Sequence, residues 1–237
     1  MKPRRVTVAN EEIDYLVKES ANATEPRIDV GIHDISVVIP QGMDMDPEEL
    51  LVENGSWVIE KKRKYEEYRA QIPERTFEEG ETFAYLGEPH EVVIEQRSSA
   101  EVVDKTLRLP KHGVDRTSVE RSLETLYRRK ARERFEERAD AYAARMGVTY
   151  EKIEIRNQRT KWGSCSANGT LGLNWRLMMA PPEIIDYVVV HELAHLIEQS
   201  HNDTFWSIVS DHHPAYRDHA KWLEENSTRL VFSDDDI

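Results

Sequence analysis

The spacing of apolar positions is strand-like through the first half of the chain and helix-like through the second. Segments 13–18 and 27–40 carry alternating or continuous apolar residues between turn formers, which predicts strands. Asp46-Pro47-Glu48-Glu49 sets an N-cap aspartate, a first-position proline and first-turn acids in order, so a helix is expected from there to about Ala70. Further strands are expected at 82–86, 90–96 and 105–109, with turns at Gly87-Glu88-Pro89 and across 110–113.

A long helix is predicted from Thr117 or Ser118 to Met146, closed by Gly147. Leu123, Leu126, Tyr127, Phe135, Ala139 and Tyr142 form its apolar stripe, and its Arg and Glu residues read as a solvated face of mixed-sign pairs. A strand at 152–156 and a Gly-punctuated segment at 161–175 follow. A helix then opens at Pro181-Pro182-Glu183 and runs through His195, another starts at Asn202 or Asp203, and Pro214 opens or divides a last one ending near Asn226. The pattern is α+β. A β-rich lobe, 1–114, is expected to pack on a helical lobe, 115–230, with an acidic disordered tail at 231–237. The sequence shows no internal repeat.

Composition narrows the class. The 237 residues hold 32 basic and 45 acidic side chains, a net charge of −13. A surplus of this sign repels phosphate backbones and disfavours broad nucleic-acid binding, though not a local basic pocket. It fits a high-salt surface and an ordinary acidic protein equally. No apolar run approaches the roughly 18 residues of a membrane span, and no signal peptide is visible at the start. Cys165 is the single cysteine, so no intrachain disulfide forms, which fits a cytoplasmic setting.

Six of the nine histidines lie between 191 and 219, and among them stands His191-Glu192-Leu193-Ala194-His195. Residues four apart share one face of a helix, so both imidazoles can reach one ion at about 2.0–2.1 Å. Glu192 then sits beside the site as a base for an activated water without being a ligand. The preceding run, Ile184 to Val190, is strongly apolar, so this helix should be buried, where an unpartnered polar cluster is costly. The third ligand is assigned to His201. Six residues beyond His195 is about 600° of turn, so the helix must break between Ile197 and Ser200. Ser200 or Asn202 can cap the next helix. Glu198, Asp211, His212 and His213 are the rival ligands.

Arg159-Thr-Lys-Trp-Gly-Ser-Cys-Ser166, Gly172-Leu-Asn174, Tyr187-Val-Val-Val-His-Glu-Leu-Ala-His-Leu196, His201 and Phe205-Trp206 together resemble the YgjP-like metal-dependent hydrolase family. That family is related to SprT-like and gluzincin-type zinc peptidases. The resemblance is specific over about 151–223. It implies a zincin-like second lobe, one zinc per chain held by His191, His195 and His201, and Glu192 as catalytic base. Family members usually carry Asn-His-Ser where this chain has Ser200-His201-Asn202, so local capping is expected to differ. The resemblance implies a metallopeptidase, and alternatively a nucleoside triphosphate (UTP) pyrophosphatase on the same site. The substrate is accordingly a peptide or a nucleotide. A zinc-stabilised binding module without turnover is a third reading; it needs a closed four-ligand shell, which Cys165 could complete.

Beside the motif, Arg156, Arg159 and Lys161 precede Trp162-Gly163-Ser164. Arg159, Lys161, Trp162, Ser164 and Asn174 are the candidate substrate-binding residues, because cations with Gly and Ser backbone can hold a phosphate or a terminal carboxylate. The same cations also suit a basic strand end paired with nearby carboxylates. Segment 171–175 is a candidate edge for aligning a peptide.

Overall fold

The computed structural model describes residues 3–8, 10–31, 34–233 and 236. The chain forms two compact units, one ending at Ile72 and one spanning Pro73–Asp236.

The first unit is a four-stranded sheet with two helices. Its strands β1 (Arg4–Val8), β2 (Glu11–Ser20), β3 (Arg27–Val30) and β4 (Ile35–Pro40) lie in the order β1-β2-β4-β3. The segment expected as one strand, 27–40, is thus a hairpin, with Gly31 N donating to Asp34 O at 2.8 Å. Alternation puts Val6, Val8, Ile13, Tyr15, Val37 and Ile39 into the core. Asp46 caps α1 (Pro47–Glu53), its side chain accepting from Glu48 N. The expected single helix breaks after one segment, and α2 (Gly55–Ala70) starts afresh at Asn54. The Asn54 side chain bonds back to Leu50 O at 2.9 Å, and a Cβ on Gly55 would meet Val8 at 2.5 Å. The break lets backbone approach the sheet where a side chain would not fit.

The second unit opens with strands β5 (Thr82–Tyr85), β6 (Glu88–Glu95), β7 (Glu101–Val103) and β8 (Thr106–Pro110), in the order β5-β6-β8-β7. Each four-stranded sheet has a parallel central pair flanked by antiparallel outer pairs, so one topology occurs twice in the chain. Pairing depends on backbone geometry, and no repeated sequence announces it. The break between units precedes β5 because Phe83, Val92, Leu107 and Leu109 are wholly buried in the same core as the long helix that follows.

That helix, α4 (Val119–Met146), follows the short α3 (Lys111–Arg116). Ser118 accepts from Arg121 N, and Gly147 closes the helix at φ 68°. Its outer face carries mixed pairs such as Arg128–Glu124 and Lys130–Glu133. A three-stranded sheet follows, β9 (Lys152–Arg156), β10 (Gly163–Cys165) and β11 (Thr170–Asn174), in the order β10-β11-β9. After a 3-10 turn at Trp175–Met179 come α5 (Pro182–Ala194), α6 (Asp203–His212) and α7 (Tyr216–Asn226). The architecture is α+β.

Two anchors fix α5. The β5–β6 hairpin tip packs on its start: Leu86 N donates to Met178 O at 2.7 Å, and Gly87, at φ 80°, lies against Pro181. On its flank, Arg138 of α4 grips Asp186 through two bonds of 2.6 and 2.7 Å. Arg138→Ala strands a largely buried carboxylate and is expected to cost about 2–3 kcal/mol, below the full penalty for a wholly buried pair. Thermal unfolding should therefore fall by about 5–10 °C. An unchanged midpoint would show the clamp to be energetically idle.

The acidic tail was expected to be disordered. Its described part is packed instead: Val231 and Phe232 are each 2% exposed. Asp236 accepts from Phe232 N and Ser233 N at 3.0 and 3.1 Å, and from Asn157 at 3.0 Å. Two apolar residues at its start outweigh the charge behind them. Residues 234, 235 and 237 lie outside the described set.

Candidate metal centre

Helix α5 is apolar on nearly every side; Ile184, Ile185, Val189, Val190 and Leu193 are at most 1% exposed. It therefore runs through the core and carries its last polar turn to the surface. His191 sits in that turn and His195 is the residue that closes it. The chain then turns through 196–201. Glu198 organises the turn: its carboxylate accepts from Ser200 N at 2.9 Å. That bond and others from Asn202 and Gln199 hold its pKa below the usual carboxylate range. The rival ligand is thus committed to the backbone. Asn202 caps α6, its side chain accepting from Phe205 N at 3.0 Å, and this sets His201 just before the helix.

The three histidines converge. Their facing ring nitrogens lie within 4.8 Å of one another. His191 Nε2 and His201 Nε2 stand 3.1 Å apart. Two ligands on one tetrahedral ion at about 2.05 Å would be about 3.3 Å apart, so the pair is spaced for a shared ion. His195 Nδ1 lies 3.3 Å from Glu198 O. With that nitrogen donating, Nε2 is free to face the other two rings. Phe205 floors the cluster, its ring 4.6–4.9 Å from all three imidazoles. Trp206 stacks on His201 at 5.7 Å and on Tyr216 at 5.3 Å.

Electrostatics favour neutral ligands. Burial, with His195 and His201 nearby, pushes the His191 imidazolium down to about 4. Burial also lowers His195. Neutral imidazole is the ligating form, and a divalent ion supplies the positive charge the cluster lacks. The residues present therefore fit a single divalent cation. No carboxylate or thiolate joins them among the described residues. Asp211 and His212 lie on α6 outside the cluster, and His213 instead faces His219 at 2.6 Å. Cys165, half-buried on β10, stays apart; burial and then the Glu192 charge raise its thiol above the usual range.

Glu192 is 5% exposed, and its burial pushes the carboxyl up to about 7, with Lys161 pulling the other way. Its carboxylate lies against β10. A Cβ on Gly163 would meet Glu192 Oε1 at 2.3 Å and Cδ at 2.7 Å. Read from the sequence, Gly163 is backbone for holding an anion; the structure instead shows it as the close packing surface for Glu192.

The other candidate residues divide. Lys161 and Arg159 are exposed, Trp162 and Ser164 half-buried. Asn174 is 1% exposed and its polar atoms are occupied: the amide donates to Gln158 O and Lys161 O at 2.7 and 3.3 Å, and Oδ1 accepts from Arg176 N at 3.1 Å. It shapes the 158–161 loop and offers nothing to a substrate. Arg176, which the sequence did not mark, is 3% exposed and lies 5.3 Å over the Trp162 ring. Segment 171–175 is not an edge, because β11 is the central strand; the outer strand beside α5 is β10.

Three converging imidazoles, an adjacent buried carboxylate and an outer strand alongside define the class of metal-dependent hydrolases. The family model for the YgjP-like, metallopeptidase domain matches residues 24–226, and the chain belongs to this family. It is a metal-dependent peptidase of that general kind. No curated protein matches the chain. Among solved structures, the metallopeptidase zymogen of Pyrococcus abyssi abylysin is similar at 20% identity and a TM-score of 0.34, covering 39% of this chain and 95% of that one. Among the described residues, no helix is long and apolar enough to cross a membrane.

Proposed function

We propose that the protein is a zinc-dependent peptidase in which His191, His195 and His201 hold the ion and Glu192 is the catalytic base. The supporting observation is the convergence of three imidazoles beside a buried carboxylate. A bound divalent ion supplies Lewis acidity and an acidified water. Three histidines leave a fourth position open, which favours catalysis over a closed structural site. Glu192 takes a proton from the attacking water and returns it to the leaving amine. Its carboxyl, pushed by burial up to about 7, suits a group that must hold and release a proton near neutral pH. The peptide runs along the free edge of β10, its backbone paired with 163–165. Trp162, the residue just before that strand, is the candidate contact for the peptide's side chains. The cytoplasm, where a lone Cys165 stays reduced, is the compartment we assign.

The test is metal content by mass spectrometry on untagged protein prepared without added metal. About one zinc per chain is expected in the wild type, and near none in His195→Ala. A wild type that is metal-free and refuses added zinc would overturn the reading.

The exposed cations Arg159 and Lys161 favour a second reading, UTP pyrophosphohydrolysis. The two readings predict different mutants. As a peptidase, Arg159→Ala and Lys161→Ala should each keep kcat/KM on a peptide within about threefold, as exposed charges contribute little. If UTP is the substrate, each should lose about tenfold or more, since charge-assisted phosphate bonds are worth roughly 1.5–3 kcal/mol. Parallel assays on casein-derived peptides and UTP decide between them.

A further inference from the structure

A hollow lies away from the histidines, where α3, the N-terminal half of α4 and the β6–β7 loop meet. Its volume is about 470 Å³, within the range of small-molecule sites. Its lining includes three arginines, Arg116, Arg121 and Arg129, together with His112, and no acidic residue. That composition runs against a chain with 45 acidic and 32 basic side chains. Leu126, 1% exposed, gives it an apolar floor.

The arrangement follows from helical spacing. Arg121 and Arg129 are eight residues apart on α4, two turns along one face, while His112 and Arg116 are four apart on α3. Two helix faces thus aim cations at one space. Like charges gathered this way disfavour the fold unless an anion joins them. The neutralisation supplied by the protein is partial. Arg121 meets Glu124 at 2.9 Å and Arg129 meets Glu133 at 3.8 Å, with the arginine side chains 68% and 46% exposed. Arg129 also donates to Ala100 O of the β6–β7 loop, which holds its guanidinium across the hollow. Among the described residues, Arg116 has no ion pair and the Ser122 hydroxyl, also on the lining, has no hydrogen-bond partner.

We propose that this hollow binds a small phosphorylated organic anion, its phosphates on Arg116, Arg121 and Arg129 and its apolar body on Leu126. Arginine forks match phosphate oxygens in pairs, and the hydroxyl of Ser122 adds a neutral donor. The floor selects a molecule with an apolar or aromatic part over free phosphate. The volume admits a mononucleotide-sized ligand and excludes a duplex. The site shares no residue with the metal centre, so its occupancy is independent of peptide turnover.

Titration calorimetry with ADP, inorganic pyrophosphate and adenosine as separate probes tests it on the full chain at low salt. ADP is expected to bind one site with Kd near or below ~100 µM, pyrophosphate more weakly, and adenosine not at all. Arg116→Gln and Arg129→Gln should each weaken ADP at least tenfold. Arg116 makes no bond that the fold depends on, so its variant should melt with the wild type. Three results would overturn the proposal: no ADP binding at millimolar concentration; ADP binding unchanged in both arginine variants; or binding lost in His195→Ala and kept in the arginine variants, which puts the phosphate at the metal centre.

Discussion

Glu192→Gln is expected to lower kcat/KM on a peptide substrate by about 10³-fold, within the usual span for removing a general base, while about one metal ion per chain remains. Glutamine keeps the shape of the side chain and its fit against β10, so the helix and the three imidazoles stay in place. What it loses is the basic carboxylate oxygen that accepts the proton. The environment makes this loss hard to replace. Glu192 is 5% exposed, so bulk water does not reach it freely, and among the described residues the ligand cluster contains no other carboxylate. Lys161, the charged side chain acting on Glu192, is a cation and accepts nothing. Metal content and kcat/KM should be measured on the same preparation. Loss of both would mean that Glu192 supports the cluster mechanically. Retention of both would remove it from the chemistry.

The convergence of the three histidines was largely legible because its signal is local. His191 and His195 are tied by helical spacing alone, and the Ile184–Val190 run says the helix is buried. His201 needed one further step, a break in the helix, and the Asn202 cap that supplies it is itself a sequence signature. Non-local facts were less visible. The twice-used sheet topology depends on which strands pair, and Arg4–Val8, too charged to read as a strand, is half-buried by its neighbours. Asn174 illustrates the limit at the site. A buried asparagine and a substrate-facing one look alike in sequence, and only the carbonyls of Gln158 and Lys161 converging on its amide show which it is. Likewise nothing local distinguishes β11, inside its sheet, from β10 at the edge.

Gly163→Ala tests the role of that edge strand. It is expected to reduce kcat about 10²-fold, the scale of a 1 Å misplacement of a reacting group, with metal content unchanged. The backbone at Gly163 is not in the left-handed region, so alanine itself brings no conformational strain. Its Cβ would, however, fall 2.3 Å from Glu192 Oε1 and 2.7 Å from Cγ. Cγ belongs to a side chain rooted in the buried helix and cannot retreat far, so either the carboxylate rotates off its position or β10 lifts away. Either movement would separate the proposed base from the attacking water. Gly172→Ala is the control, because it sits across the same sheet and opposes Ser164. There the added Cβ would meet only the Ser164 hydroxyl, at 2.7 Å, with Arg156 Cγ next at 3.3 Å. A hydroxyl can rotate aside at little cost, so activity should stay within about threefold. If the two variants lose activity equally, the sheet as a whole is what matters. If Gly163→Ala turns over like the wild type, Glu192 has room elsewhere and its contact with β10 does not set the catalytic geometry.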